Sequence, residues 1–132
     1  DGKVVYNWQY IDELYDRMLA IGVKPFVELG FFTKDMAAEN SKTQMWWKGY
    51  VSVDRNNFGK WHDLIKAFTQ HIVDRYGINE VLTWYFEVWN EPNLTGTGGF
   101  FHGTKSDYFR LYKEAVTAIK SIDERLKVGG PA

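Results

Sequence analysis

The chain has 132 residues, which is enough for one domain or for part of one. Its 16 basic and 17 acidic side chains leave a formal net charge of -1, which argues against general attraction to nucleic acid or to an anionic membrane. There is no cysteine, so disulfides and thiolate metal sites are excluded, and no run approaches the ~20 apolar residues that cross a bilayer.

The spacing of apolar residues predicts six elements in alternation. In chain order they are a helix over residues 8–20, a strand over 25–29, a helix over 58–76, a strand over 82–89, a helix over 107–123 and a strand over 126–130. Gly22 and Gly77 are predicted to end the first two helices. Polar residues ahead of the helices are the predicted N-caps: Asn7, Asn56 or Asn57, and Ser106.

This alternation predicts parallel strands joined by right-handed helical crossovers. The apolar runs of the strands are nearly continuous, which predicts that both faces of the sheet are covered. An eight-stranded (β/α)8 barrel needs ~250 residues, so three strands indicate either part of such a barrel or a small open sheet. Because the sequence stops just past a strand, we expect the first.

Two long loops, residues 31–57 and 90–105, follow the first two strands. In parallel α/β folds the carboxyl ends of the strands share one edge, and that edge carries the chemistry. The strand over 82–89 runs directly into Asn90-Glu91-Pro92. Pro92 lacks an N–H and is predicted to hold Glu91 extended, with its carboxylate at the tip of the strand. An isolated Glu at a strand end is usually a solvated loop residue, but this context favours a catalytic carboxylate.

Residues 84–94, WYFEVWNEPNL, closely resemble the acid/base strand of glycoside hydrolase family thirty-nine, which contains bacterial β-xylosidases and α-L-iduronidases. Further segments resemble the family in the family's own order: residues 6–12, 24–29, 75–77 and 126–132. The Asn-Glu-Pro motif is shared by many related barrel glycosidases, but five ordered segments extend the resemblance over nearly the whole chain.

The resemblance implies an α/β fold that is part of a (β/α)8 TIM barrel, about strands three to five with flanking helices. Residues 1–132 would be a partial catalytic domain without the N- and C-terminal portions of the barrel. Glu91 would be the general acid/base of a retaining enzyme, and Asn90 would contact the sugar 2-hydroxyl. The nucleophile would lie on strand seven, outside this sequence, so we expect no activity from the chain alone.

The expected partner is a carbohydrate, either a xylo-oligosaccharide or a related glycoside, with no nucleic acid, no membrane and no cofactor. Exposed barrel edges predict self-association of the isolated chain. Four residues near the strand ends are predicted to line the sugar pocket: Phe31, Phe32, Trp89 and His102. Trp89 is equally compatible with core packing, and loop packing is the favoured interpretation for Trp46 and Trp47.

Glu28 and Glu87 lie within apolar strands and are predicted to be structural carboxylates paired with Arg or Lys, and the partner could lie on a strand outside this sequence. His62 and His71 fall on a predicted helix and are expected to be surface or packing residues. No cluster has the spacing of metal ligands, so no metal is expected.

Alternatives remain within and outside the family. Pro-Asn-Leu at residues 92–94 favours a β-xylosidase, since iduronidase-like members tend to have Asp after the Pro, and an α-L-iduronidase-like glycosidase is the nearest alternative. The alternative of another class is a non-catalytic carbohydrate-binding or structural barrel fragment. A small autonomous α/β domain with a coincidental motif is disfavoured by the five ordered segments.

Overall fold

A computed structural model describes residues 3–44, 48–94 and 98–132. The predicted alternation of helices and strands is confirmed, with additions between the predicted elements. The elements are α1 (Gln9–Ala20), β1 (Phe26–Leu29), β2 (Thr43–Gln44), β3 (Gly49–Tyr50), α2 (Phe58–Tyr76), α3 (Ile78–Val81), β4 (Tyr85–Val88), α4 (Lys105–Lys120) and β5 (Lys127–Gly129). One turn of 3-10 helix, Arg55–Asn57, precedes α2.

The main sheet is parallel and has the order β1-β4-β5, so β4 is its central strand. Glu28 lies opposite Glu87, and Tyr85 lies opposite Lys127. The predicted parallel strands with helical crossovers are therefore present. Because the three strands run the same way, their carboxyl ends lie along one edge of the sheet.

The two faces of this sheet differ, which corrects the expectation that both are covered. Val27, Leu29, Phe86 and Val88 are all buried beneath the helices. The alternate positions form an uncovered face within the described part of the chain, consisting of Phe26, Glu28, Tyr85, Glu87 and Lys127. On it the Phe26 and Tyr85 rings stack at 5.9 Å, and Lys127 Nζ lies 4.4 Å from the Tyr85 ring centre.

Helix α2 spans the predicted residues and carries the largest part of the core. Its apolar stripe is buried against the sheet and α4 through Phe58, Trp61, Ile65, Phe68 and Ile72. Burial of such side chains stabilises a fold by roughly 1.5–3 kcal/mol each. Gly77 follows α2 with a φ of 83° and Gly22 follows α1 with a φ of 78°, so both predicted helix ends are confirmed.

The predicted N-cap of the last helix is wrong, because α4 begins earlier. Thr104 caps it: Thr104 Oγ1 accepts from Asp107 N–H at 3.1 Å, and Asp107 Oδ2 accepts from Thr104 N–H at 2.9 Å. This reciprocal capping box satisfies two helix-end donors, which Ser106 could not do from inside the first turn. At α1, Asn7 Oδ1 accepts from Gln9 N–H at 3.0 Å, although Trp8 occupies the cap position.

Before α2 the capping side chain comes from a residue that the sequence did not single out. Asp54 Oδ1 accepts from Asn56 N–H at 2.8 Å and caps the 3-10 turn. Asn57 occupies the cap position of α2 without a side-chain cap bond. Its Nδ2 instead donates to the Asp35 carbonyl at 3.2 Å, which ties the turn to the loop after β1.

Glycine is required at position 130, just past β5. Its φ is +105°, and an added Cβ would lie 3.0 Å from Glu87 Cγ and 3.1 Å from Val88 N. We predict that Gly130→Ala lowers the free energy of unfolding by about 1–3 kcal/mol, because a side chain at this φ is strained and collides with β4. Urea unfolding of the protein that carries this chain measures the change.

Gly59→Ala is the matched control, because Gly59 is exposed in the first turn of α2 and nothing in the described chain crowds a Cβ built there. We expect a change within about 0.5 kcal/mol for this variant. Equal losses in the two variants would show that the close approach of residue 130 to β4 is not a constraint.

Candidate active site

The central strand delivers Asn90 and Glu91 to the carboxyl edge of the sheet. Trp89 N–H donates to the Leu29 carbonyl at 2.9 Å, which continues the β1–β4 pairing one residue past Val88. Asn90 and Glu91 follow at once, and both are half-buried. The predicted location of these two residues at the end of a parallel strand is therefore what the structure has.

The backbone at this corner is not extended, contrary to the expectation drawn from Pro92. The φ angles are 66° at Trp89 and 44° at Glu91, the two non-glycine residues with positive φ in the described chain. Proline favours extended backbone for the residue before it, so the positive φ of Glu91 is imposed by its surroundings against that preference. Glu91 N–H donates to the Ala132 carbonyl and Leu94 N–H donates to the Glu91 carbonyl, both at 3.1 Å.

These two positive φ angles are held by their surroundings. Such backbone costs of order ~1–3 kcal/mol at each bulky residue and persists where packing and hydrogen bonds over-determine it. The bond to Ala132 joins the corner to the chain beyond β5, so both sides of the corner are restrained. Strain of this kind is concentrated at functional sites.

Trp89 and Phe32 do not face a sugar pocket. Each is 1% exposed, and their ring centroids are 4.6 Å apart. A side chain that is already buried in this part of the fold offers no free ring face to a ligand. This corrects the expectation that they contact substrate, and for Trp89 the core alternative is the one that the packing supports.

Phe31 and His102 lie in the two long loops, and these loops are joined to each other. Phe31, in the loop after β1, is half-buried and packs edge-on against Phe100, in the loop after β4, with 6.0 Å between the ring centroids. His102, also half-buried, donates its backbone N–H to the Val51 carbonyl at 2.8 Å. Both are therefore at the same edge as Glu91 and have partly exposed side chains.

A short antiparallel hairpin, β2–β3, occupies the loop after β1, where the sequence predicted no regular structure. Gly49 in β3 has Phe31 directly beside it, and a Cβ at that position would lie 2.8 Å from Phe31 Cγ. Each strand has only two residues, which is too short for a periodic signal. Trp46 and Trp47, for which loop packing is the favoured interpretation, lie outside the described residues.

Tyr108 is a supporting residue that the sequence assigned only to the apolar stripe of a helix. Its hydroxyl donates to the Val88 carbonyl at 3.0 Å, at the last residue of β4. Burial raises the pKa of Tyr108 to about 12, so the hydroxyl remains a neutral donor. No sequence signal separates this Tyr from its apolar neighbours, because the bond is made to a backbone atom.

A cleft of about 420 Å³ adjoins the corner on the α4 side. Its lining includes Pro92, Asn93, Tyr108 and Phe109, and Glu91 does not contribute to it within the described chain. Glu91 therefore does not line this cleft, which is formed by the residues after it and by the start of α4.

Glu28 and Glu87 lie opposite each other on the uncovered face, with no cation paired to either among residues 3–44, 48–94 and 98–132. Burial, followed by the charge of Glu87, raises the pKa of Glu28 above its usual range. The expected Arg or Lys partner is therefore not found in this part of the chain, where each carboxylate has the other as its neighbour, and a partner outside this sequence stays a prediction.

The two helical histidines make interhelical contacts, which confirms their interpretation as packing residues. His71 Nε2 lies 2.6 Å from Asp12 Oδ1, and His62 Nδ1 lies 3.3 Å from Glu114 Oε2. In the described ranges no group of three or more histidine or acidic side chains is placed to hold a metal ion. None of the helices described combines the length and apolar content that crossing a membrane requires.

Comparison with known proteins defines the class as glycoside hydrolase. The family described as Glycosyl hydrolases family 39 matches residues 1–132. A β-xylosidase of Geobacillus stearothermophilus is 46% identical over 130 residues, which are 98% of this chain and 25% of the relative. An α-L-iduronidase of Mus musculus is 24% identical over 133 residues, which cover 97% of this chain and 18% of that protein.

A solved structure agrees with the sequence relatives. The crystal structure of a monomeric β-xylosidase from Caulobacter crescentus CB15 matches all of this chain and 26% of its own, with 51% identity and a TM-score of 0.88. The chain belongs to glycosyl hydrolase family 39. It spans about a quarter of the length of the β-xylosidases it matches.

The start of α4 is linked by charge to the end of the hairpin loop. Arg55 donates from Nε to Asp107 Oδ1 at 2.8 Å and from Nη2 to Oδ2 at 3.0 Å. The Arg55 guanidinium, with help from Thr104, holds the pKa of Asp107 well below its usual range. The pair thus connects the end of the loop after β1 to the end of the loop after β4, which carries Asn90 and Glu91.

We predict that Asp107→Asn lowers the free energy of unfolding by about 1 kcal/mol at pH 7, because it weakens both the cap and the ion pair. Because the pKa of Asp107 is lower in the folded than in the unfolded protein, its ionised carboxylate stabilises the folded state at pH values above the unfolded pKa of ~3.9. This stabilisation is lost as the pH falls. The variant should therefore differ from the parent at pH 7, and the difference should shrink as the pH falls below about 4 towards the lowered folded-state pKa of Asp107. Urea unfolding at a series of pH values measures this, and a constant difference at every pH would contradict the ion-pair account.

Proposed function

We propose that this chain forms the acid/base segment of a retaining glycoside hydrolase, with Glu91 as the proton donor. The observation that supports it is the position of Glu91 at the carboxyl end of the central strand of a parallel sheet, in a chain that belongs to glycosyl hydrolase family 39. Glu91 is half-buried, and hydrogen bonds of its own N–H and carbonyl fix the backbone from which the side chain projects. This limits the positions that the carboxyl can reach, as proton transfer to a bound substrate requires.

The chemistry assigns one carboxyl to this chain and a second to chain outside it. In a retaining mechanism one carboxylate attacks the anomeric carbon while Glu91 protonates the departing oxygen. Glu91 then removes a proton from the water that releases the glycosyl-enzyme. The two carboxyl groups must lie about 5–5.5 Å apart, and no second strand-end carboxylate at this edge is found among the described residues.

Asn90 is proposed to contact the sugar 2-hydroxyl, since its side chain offers both a donor and an acceptor beside Glu91. Phe31 and His102 are proposed as the pocket-lining residues that retain partly exposed side chains. Trp89 and Phe32 are buried in the core beneath these pocket-lining residues and are not proposed to contact the sugar.

We place the three main strands as about strands three to five of a (β/α)8 barrel, so that residues 1–132 form part of one catalytic domain. The one-sided burial of the sheet supports this placement, because the uncovered face would then point into the barrel and meet side chains of the other strands.

The substrate proposed is a β-xyloside such as a xylo-oligosaccharide. Identity to the β-xylosidases reaches 46–51%, compared with 24% to the α-L-iduronidase. Initial rates of the complete protein on an aryl β-xyloside and on an aryl α-L-iduronide separate these two activities. Binding of xylo-oligosaccharide without turnover of either probe would favour the non-catalytic carbohydrate-binding alternative.

In the complete protein we predict that Glu91→Ala lowers kcat/KM by about 10²–10⁴-fold for aryl xylosides with poor leaving groups. For aryl xylosides whose leaving groups depart without protonation, kcat/KM should fall far less. Azide should partly restore turnover by attacking the glycosyl-enzyme without a general base. Steady-state kinetics over a series of aryl xylosides measures both effects.

Glu39→Ala is the matched control, since Glu39 is an exposed carboxylate in the loop after β1. It should leave the dependence on leaving-group acidity unchanged. Equal losses for Glu91→Ala across leaving groups of widely different acidity would count against the acid role.

We also predict that the purified 132-residue chain alone does not hydrolyse glycosides, because the proposed nucleophile lies outside it. Incubation with an aryl β-xyloside at micromolar chain concentration tests this. Turnover that remains after further purification of the chain would refute the assignment of the second carboxylate to missing chain.

A further inference from the structure

The residue just before Asn90 combines strained backbone with complete burial. Trp89 has a φ of 66°, which is unusual for a bulky side chain. Its side chain is 1% exposed, and its amide still pairs with the Leu29 carbonyl of β1. A conformation of this kind needs a surrounding structure that permits no alternative.

That surrounding comes from both loops at the carboxyl edge and from α2. Trp89 Nε1 donates to the Phe100 carbonyl at 3.1 Å, so the indole bonds to the returning part of the loop that carries Glu91. Four aromatic rings enclose the indole at centroid distances of 4.6–6.2 Å: Phe31, Phe32, Trp61 and Phe101.

We infer that Trp89 is the positioning residue for Glu91, an inference that rests on the proposed function. Trp89 is two residues before Glu91, so a change of its φ from left-handed to extended would turn the Asn90–Glu91 segment away from its present direction. The enclosed indole prevents that change. The packing of the loop after β1 against Trp89 therefore fixes the direction in which the acid/base carboxyl points, although Trp89 itself is proposed to make no contact with substrate.

The test uses the complete protein and two tryptophan variants. Trp89→Phe keeps an aromatic ring but removes the bond to the Phe100 carbonyl. Trp84→Phe is the matched control, because Trp84 is also fully buried and its Nε1 also donates a hydrogen bond, to Glu80 Oε1 at 3.0 Å. Its ring packs on Tyr15 and Tyr76, which are not among the rings that enclose Trp89. For each variant kcat/KM is measured on a series of aryl β-xylosides whose leaving groups span a wide range of acidity.

Trp89→Phe is expected to lose about ten- to a hundredfold in kcat/KM on poor leaving groups and less than about twofold on good ones. Trp84→Phe should show one uniform, small change across the series. A residue that only stabilised the core would produce the uniform pattern in both variants.

A second variant covers a failure of Trp89→Phe to fold, which circular dichroism would show. Gly49→Ala places a Cβ 2.8 Å from Phe31 Cγ and displaces a ring that packs on Trp89. It should show the same selective loss at smaller size. A uniform pattern in Trp89→Phe, or in Gly49→Ala if the first does not fold, overturns the inference.

Glu91→Ala in the same series separates the two proposals. If Glu91→Ala shows the selective loss and the Trp89 variant does not, only the positioning role fails. If Glu91→Ala itself shows no selectivity for leaving groups, the proposed function fails.

Discussion

The parallel pairing of β4 with a strand on each side is the constraint on which the rest of the structure depends. Residues Tyr85–Val88 are hydrogen-bonded to β1 on one side, and Tyr85–Glu87 to β5 on the other. The end of β4 therefore cannot shift without breaking two ladders, and the carboxyl of Glu91 follows three residues later. The same pairing brings the chain beyond β5 close enough for Ala132 to accept a hydrogen bond from Glu91, which Gly130 permits by having no Cβ.

Packing on the helix side and chemistry at the strand edge are connected through few side chains. Tyr108 bonds to the last carbonyl of β4, and the buried indole of Trp89 bonds to the loop that returns from Glu91. Because interiors are close-packed, small changes around these groups reach the corner. Catalytic groups must be held within a fraction of an ångström, and backbone strain at the corner is consistent with that demand.

Sequence patterns predicted the elements well where the signal was local and repeated. The apolar stripe from Phe58 to Ile72 predicts α2 to the residue, and the Asn-Glu-Pro corner predicts the end of β4. The hairpin was missed because its strands are too short to show alternation. The expectation of extended backbone at Glu91 was wrong because the local preference that Pro92 imposes is overridden by tertiary hydrogen bonds, which the sequence does not reveal. The expected cation beside Glu28 and the expected exposure of Phe32 depended on three-dimensional neighbours, which spacing along the chain does not contain.

The proposed acid role of Glu91 requires its carboxyl to reach the glycosidic oxygen of the leaving group. A crystal structure of the complete protein with an unhydrolysed xyloside bound tests this most directly. We expect a Glu91 carboxyl oxygen within about 2.6–3.2 Å of the glycosidic oxygen, and a second carboxyl about 5–5.5 Å from it on the other side of the anomeric carbon. A Glu91 side chain directed away from the sugar, or a separation of about 6.5–9.5 Å as in inverting enzymes, would contradict the account.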